Sequence, residues 1–164
     1  IPTLTFGWSR YNIRKLIFDT KVENLLSFLA ESFEKIGGVP KEIVIDNLKQ
    51  FVEKPRRNGE PAILTSKFEE FCKDYGIKVR PCIPHRPQTK GKTETQNKIV
   101  EQMKNYNGKY IDIYHMHEIL EIINKEDNDN VSQATKFPRI FLFEKEKGDC
   151  LIIMRTRLPP RSLG

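Results

Sequence analysis

No apolar run in this chain approaches the ~20 residues that a membrane-spanning helix requires, and the expectation is a soluble protein of the cytoplasm. Cysteine is scarce. The three present, Cys72, Cys82 and Cys150, show no CxxC spacing and leave one over, so neither a disulfide framework nor a zinc site is signalled. The chain has no initiating methionine and none of the charged, apolar and small-residue order of a signal peptide; it starts at Ile1 inside an apolar stretch, which suggests residues upstream. It also lacks internal repeats and low-complexity tracts.

What is present suits one domain with a packed core: 164 residues, 38% hydrophobic and 10% aromatic. The net charge of +6 favours a polyanionic partner, and its distribution is more telling than its total. Between positions 78 and 98 stand Lys78, Arg80, Arg86, Lys90, Lys92 and Lys98 against a single acid, Glu94. A solvated basic face is the plain reading. A carboxylate set alone among six cations also suits a site that attracts phosphate and coordinates metal beside it.

Periodicity predicts a mixed α/β order. Residues 4–9 and 13–18 read as strands joined by a tight polar turn, with Trp8 in the core. Val22, Leu25, Leu26, Leu29, Phe33 and Ile36 recur at helical spacing, stopped by Gly37-Gly38. Residues 42–45 form a short β-branched strand, and 47–61 an exposed polar loop. Thr65 or Ser66 caps a helix that turns Phe68, Phe71, Cys72 and Tyr75 inward and ends at Gly76. Residues 77–82 are another strand. A helix over 92–106 buries Ile99, Val100, Met103 and Tyr106; one over 116–125 buries Ile119, Leu120, Ile122 and Ile123, and the acidic, Asn-rich stretch 126–130 breaks it.

Two carboxylates stand out in this frame. Asp46 closes a buried strand, and Glu94 projects from the first turn of a helix after the basic loop 84–91. Arg86, Lys90, Lys92 and Lys98 are candidates for phosphate contacts, and Asn47 either orients Asp46 or contacts DNA. Simpler roles exist for each: an Asx-turn at Asp46, a turn residue at Asn47, and an i,i+4 pair between Glu94 and Lys98. Asp19 reads as a cap for the following helix, shared with Thr20.

The runs GGVPKEIVIDNLK, FEEFCKDYGIKVRPCIPHRPQTKGKTE and ATKFPRIFLFEKEK together resemble the integrase catalytic core of insertion-sequence transposases of the IstA type, within the retroviral-integrase superfamily. The resemblance implies a ribonuclease-H-like fold, a mixed sheet flanked by helices. It implies an Asp, Asp, Glu triad holding two Mg2+ or Mn2+ ions, with Asp46 matching the second Asp and Glu94 the Glu, as catalytic and metal-binding residues. It also implies DNA transposition and integration, by metal-dependent phosphodiester cleavage and strand transfer, in homo-multimers that bind element ends and target DNA with an ATPase helper.

The chain departs from that pattern at both ends. The hairpin over 4–18 resembles the family's second and third strands, so the first strand and its Asp are expected before Ile1. The core is expected to run over 1–147. Beyond it lies an atypical basic tail, 148–164, in which residues 150–164 carry 3 Arg with no Lys and no acid. A frameshift or element boundary near Gly148, or disorder, would account for such a tail. The expectation is therefore a transposase-core fragment without turnover; the alternative is a non-catalytic DNA-binding or oligomerisation module.

Overall fold

The computed structural model describes residues 1–82, 99, 101–103, 105–106, 108–133 and 135–146, together with the backbone of 151–156. Strands β1 (Pro2–Phe6) and β2 (Asn12–Arg14) form the expected antiparallel hairpin. Both are shorter than the apolar text suggests. Gly7, Trp8 and Ser9 form the turn, and Arg10 takes a positive φ of 62°. Trp8 is consequently 54% exposed, not in the core, because the backbone amides of Trp8 and Ser9 are pinned by the Glu146 carboxylate at 3.0 and 2.9 Å.

Helix α1 (Val22–Ile36) follows, with Leu25, Phe28, Leu29 and Phe33 on its buried face. It stops at Gly37, whose φ of 73° is readily available to glycine, and the Gly37 N–H donates to the carbonyl of Glu34. Asp19 braces the entry: its Oδ1 accepts from the Lys21 amide at 3.0 Å and from the Asn24 side chain at 2.6 Å. Strand β3 (Glu42–Ile45) alternates as a strand must, with Ile43 and Ile45 buried.

The stretch expected to be an exposed loop is partly core. Phe51 and Val52 are buried, and β4 (Val52–Lys54) pairs with β5 (Ile63–Leu64) in a small antiparallel ribbon. Helix α2 (Ser66–Tyr75) places Phe68 and Cys72 inside, while Tyr75 is 40% exposed. Thr65 is its N-cap by position only; its hydroxyl donates instead to the carbonyl of Gln50 at 2.8 Å. Strand β6 (Lys78–Pro81) then pairs parallel with β3.

Helix α3 (Ile113–Asp129) starts earlier and ends later than its apolar pattern. Asp112 accepts from the His115 amide at 2.8 Å and caps its start. At about 100° per residue, Ile119, Leu120, Ile123, Asn124, Asp127 and Asn128 share one arc, and Ile122 falls outside it and is 57% exposed. The acidic, Asn-rich stretch continues the helix because its polar groups are used against β2. Asn128 donates to the carbonyl of Asn12 and accepts from its amide, both at 2.8 Å, and so occupies the open edge of that strand. Arg14, 1% exposed in its side chain, bonds Asn124 at 2.8 Å and Asp127 at 2.9 Å, and Arg139 reaches the other Asp127 oxygen at 3.1 Å.

Helix α4 (Arg139–Glu146) packs Phe143 against Phe6 and Tyr11. Strand β7 (Leu151–Thr156), within the stretch expected to be an atypical tail, completes the sheet in the order β2-β1-β7-β3-β6. It lies in the middle, antiparallel to β1 and parallel to β3. Its Leu-Ile-Ile-Met run is the kind of text that a strand flanked on both sides carries.

Candidate functional site

Asp46 follows the last residue of β3 and is half-buried. Two devices hold it there. Ile45 directly before it is fully buried and its carbonyl accepts from the Cys82 amide at 2.8 Å, so β3 and β6 stay paired to their ends. Asn47 directly after it is exposed, with its side-chain amide 3.4 Å from the Cys82 carbonyl.

The chain then turns on Leu48, whose carbonyl accepts from the amides of Phe51 at 2.9 Å and Val52 at 2.8 Å. The Phe51 ring stacks on Phe68 with centroids 4.1 Å apart, tying the loop after Asp46 to the first turn of α2. Sequence reasoning missed Phe51. An aromatic followed by Val in an otherwise polar stretch was the signal available, and it was outweighed by the charged and Pro/Gly-rich residues at 54–61.

Strand directions locate this end of the sheet. β3 and β7 run together and β1 runs against them, so the C-terminal end of β3 lies at the N-terminal end of β1. There Ile1 and Leu16 pack against a second apolar cluster made of Ile99, Met103, Ile119, Leu120 and Ile123. Ile99 and Met103 are thus buried as expected; Tyr106 is 41% exposed, its amide bonded to the Met103 carbonyl in the turn that ends the helical stretch. Glu94, Arg86, Lys90, Lys92 and Lys98 lie outside the described residues. Of the anticipated site, Asp46 and Asn47 are the residues the structure places.

Two of the basic residues leading into that segment are described. Lys78 is exposed, and Arg80 Nε lies 2.8 Å from Glu42 Oε1. Cys72 is buried and desolvation pushes its thiol up to about 12, which makes it inert; Cys82 is half-buried and lies next to Asn47's contact. Among the described residues no three His, Cys, Asp or Glu side chains converge as a cation site.

Residues 7–87 match the family described as Integrase core domain. Over 147 residues the chain is 33% identical to the transposase for insertion sequence element IS232 of Bacillus thuringiensis subsp. berliner, covering 90% of this chain and 34% of that protein. The chain thus spans about a third of that curated relative's length. The fold is similar to the catalytic core domain of BIV integrase, with a TM-score of 0.61 at 14% identity over 85% of this chain and 82% of that one. It is also similar to the HTLV-2 integrase catalytic core domain solved in complex with magnesium, with a TM-score of 0.62 at 17% identity and the same shares of each chain.

Proposed function

From the premise that this chain belongs with the integrase cores of insertion-sequence transposases, we propose that it is the DNA-engaging portion of such a core, binding DNA without turnover. The observation that carries the reading is Asp46 at the C-terminal end of β3, held between the Cys82 contacts and the Phe51 anchor. The segment bearing Arg86, Lys90, Lys92, Glu94 and Lys98 leaves from Cys82, next to Asn47, and re-enters the described structure at Ile99, whose cluster covers the same end of the sheet. That bracketing supports phosphate contacts by Arg86, Lys90, Lys92 and Lys98 near Asp46, with Glu94 as its partner carboxylate.

In-line transfer at a phosphodiester uses two divalent ions about 4 Å apart, one activating the attacking oxygen and one stabilising the leaving oxygen. The donors here do not fit such a pair. Asp46 stands at the end of β3, but the central strand, Leu151–Thr156, contains no Asp, Glu, His or Cys. Mg2+ or Mn2+ chemistry therefore belongs, in this proposal, to a longer protein that brings a further acid to the sheet. Assembly in several copies and an ATPase helper belong to that longer protein as well.

The test has two arms. Fluorescence anisotropy with duplex DNA across a salt series should show binding whose salt slope falls by about one for each of Arg86→Ala, Lys90→Ala and Lys92→Ala. Absence of DNA binding, or binding indifferent to all three, overturns the reading. In strand transfer with Mn2+ on element-end DNA, this chain should be silent. A version extended upstream should be active and lose activity on Asp46→Asn or Glu94→Gln; an extended version that also stays silent leaves DNA binding alone as the function.

A further inference from the structure

The central strand of the sheet comes from the C-terminal stretch, and its register with β3 is continuous from Glu42↔Leu151 to Ile45↔Met154. The residue that follows β3 is Asp46, and the next along β7 is Arg155. On its other side Arg155 pairs with Thr3, so β7 keeps strand geometry through that position. Parallel strands advance together, neighbours lie about 4.8 Å apart, and residues at one level share a face of the sheet. The central strand thus brings a base, not an acid, to the level of the one site carboxylate that the structure describes.

We propose that β7 closes this end of the sheet to divalent cations, Arg155 supplying at the level of Asp46 the positive charge that a bound ion would otherwise bring. The proposal rests on the reading of Asp46 as the site carboxylate, and it adds that the tail strand decides what Asp46 can bind. A residue of positive charge at that register position disfavours a divalent ion there. An acid in its place would change the local charge by two units and add ligand oxygens, the two quantities that set affinity for hard cations.

The experiment is a Mn2+ titration of the full chain without DNA, followed by the electron paramagnetic resonance of the free ion. The original chain should bind Mn2+ only weakly, and Arg155→Asp should bind it at least roughly tenfold tighter, a gain lost again when Asp46→Asn is added. Arg155→Ala should fall between. Equal Mn2+ binding by the original chain and Arg155→Asp, or binding in Arg155→Asp that survives Asp46→Asn, overturns the proposal. Should circular dichroism show Arg155→Asp unfolded, the comparison of Arg155→Ala with the original chain decides: a gain upholds it and no gain refutes it. DNA affinity of the same samples without metal reads the proposed function separately.

Discussion

Phe51 is the residue by which the site's mounting can be tested, because it is 1% exposed, stacks on Phe68 at 4.1 Å and terminates the turn that begins at Leu48, two residues after Asp46. A buried phenylalanine removes roughly 150–250 Å² from water, worth about 4–6 kcal/mol at ~25 cal/mol/Å². Partial collapse of the vacated space brings the usual cost of truncation to alanine to about 3–5 kcal/mol. For a chain of this length each kcal/mol moves the midpoint by about 2–4 °C. Phe51→Ala should therefore lower Tm by roughly 10 °C. Urea unfolding followed by circular dichroism should show the same loss with an unchanged m-value.

Phe51→Leu, which keeps the volume nearly filled, should cost under about 1.5 kcal/mol, and Phe18→Ala, at a residue 67% exposed, should stay within about 0.5 kcal/mol of the original chain. Hydrogen exchange adds a local reading. The Phe51 and Val52 amides, both bonded to the Leu48 carbonyl, should lose protection in Phe51→Ala more than the amides of α1 do. A Phe51→Ala protein within about 1 kcal/mol of the original would mean that the loop after Asp46 is not anchored as described.

Asp127→Asn leaves the guanidinium of Arg14 buried without its carboxylate, so it should cost about 3–5 kcal/mol; Asp129→Asn, whose partner Lys125 is exposed, should cost under about 1 kcal/mol in the same urea titrations. Ending the chain at Lys147 removes the central strand and should abolish cooperative unfolding by calorimetry, with a synthetic peptide of residues 149–158 restoring part of it; a sharp transition without peptide would refute the role of β7. Cys72 gives a pH signature. Folded, its thiol keeps its proton to about 12, whereas the unfolded thiol ionises from 9.0, so this contribution is intact below pH 9 and is lost as pH rises towards 12. Stability should fall by up to about 1.4 kcal/mol per pH unit in that window, and Cys72→Ala should remove this part of the slope.

Much of the fold was legible because its signals are local. The helix stops at Gly37 and Gly76, the amphipathic period of α1 and the β-branched run of β3 each depend on residues within one or two turns of each other. The hairpin was legible as a pair and not in its ends, since turn residues 7–10 include Trp8, which pattern alone assigns to the core. The polar stretch 126–130 was misread because an acidic, Asn-rich run breaks an isolated helix and stabilises a docked one: its value depends on Arg14 and Asn12, more than a hundred residues earlier. For the same reason Phe51 was hidden in polar text until Phe68 was brought to face it.

By itself the sequence singled out the candidate residues, Asp46 and the carboxylate and bases after it, and predicted the local elements around them. Propensity, period and capping act between near neighbours, and a reader needs no coordinates to see them. Which strand lies beside Asp46 was decided by the tertiary structure alone. Strand pairing depends on which apolar segment can reach a slot with two open edges, and Leu151–Thr156 reaches the slot between β1 and β3 from the far end of the chain. That assembly sets Arg155 one residue past the last β3–β7 pair, at the end of the sheet where β3 gives way to Asp46.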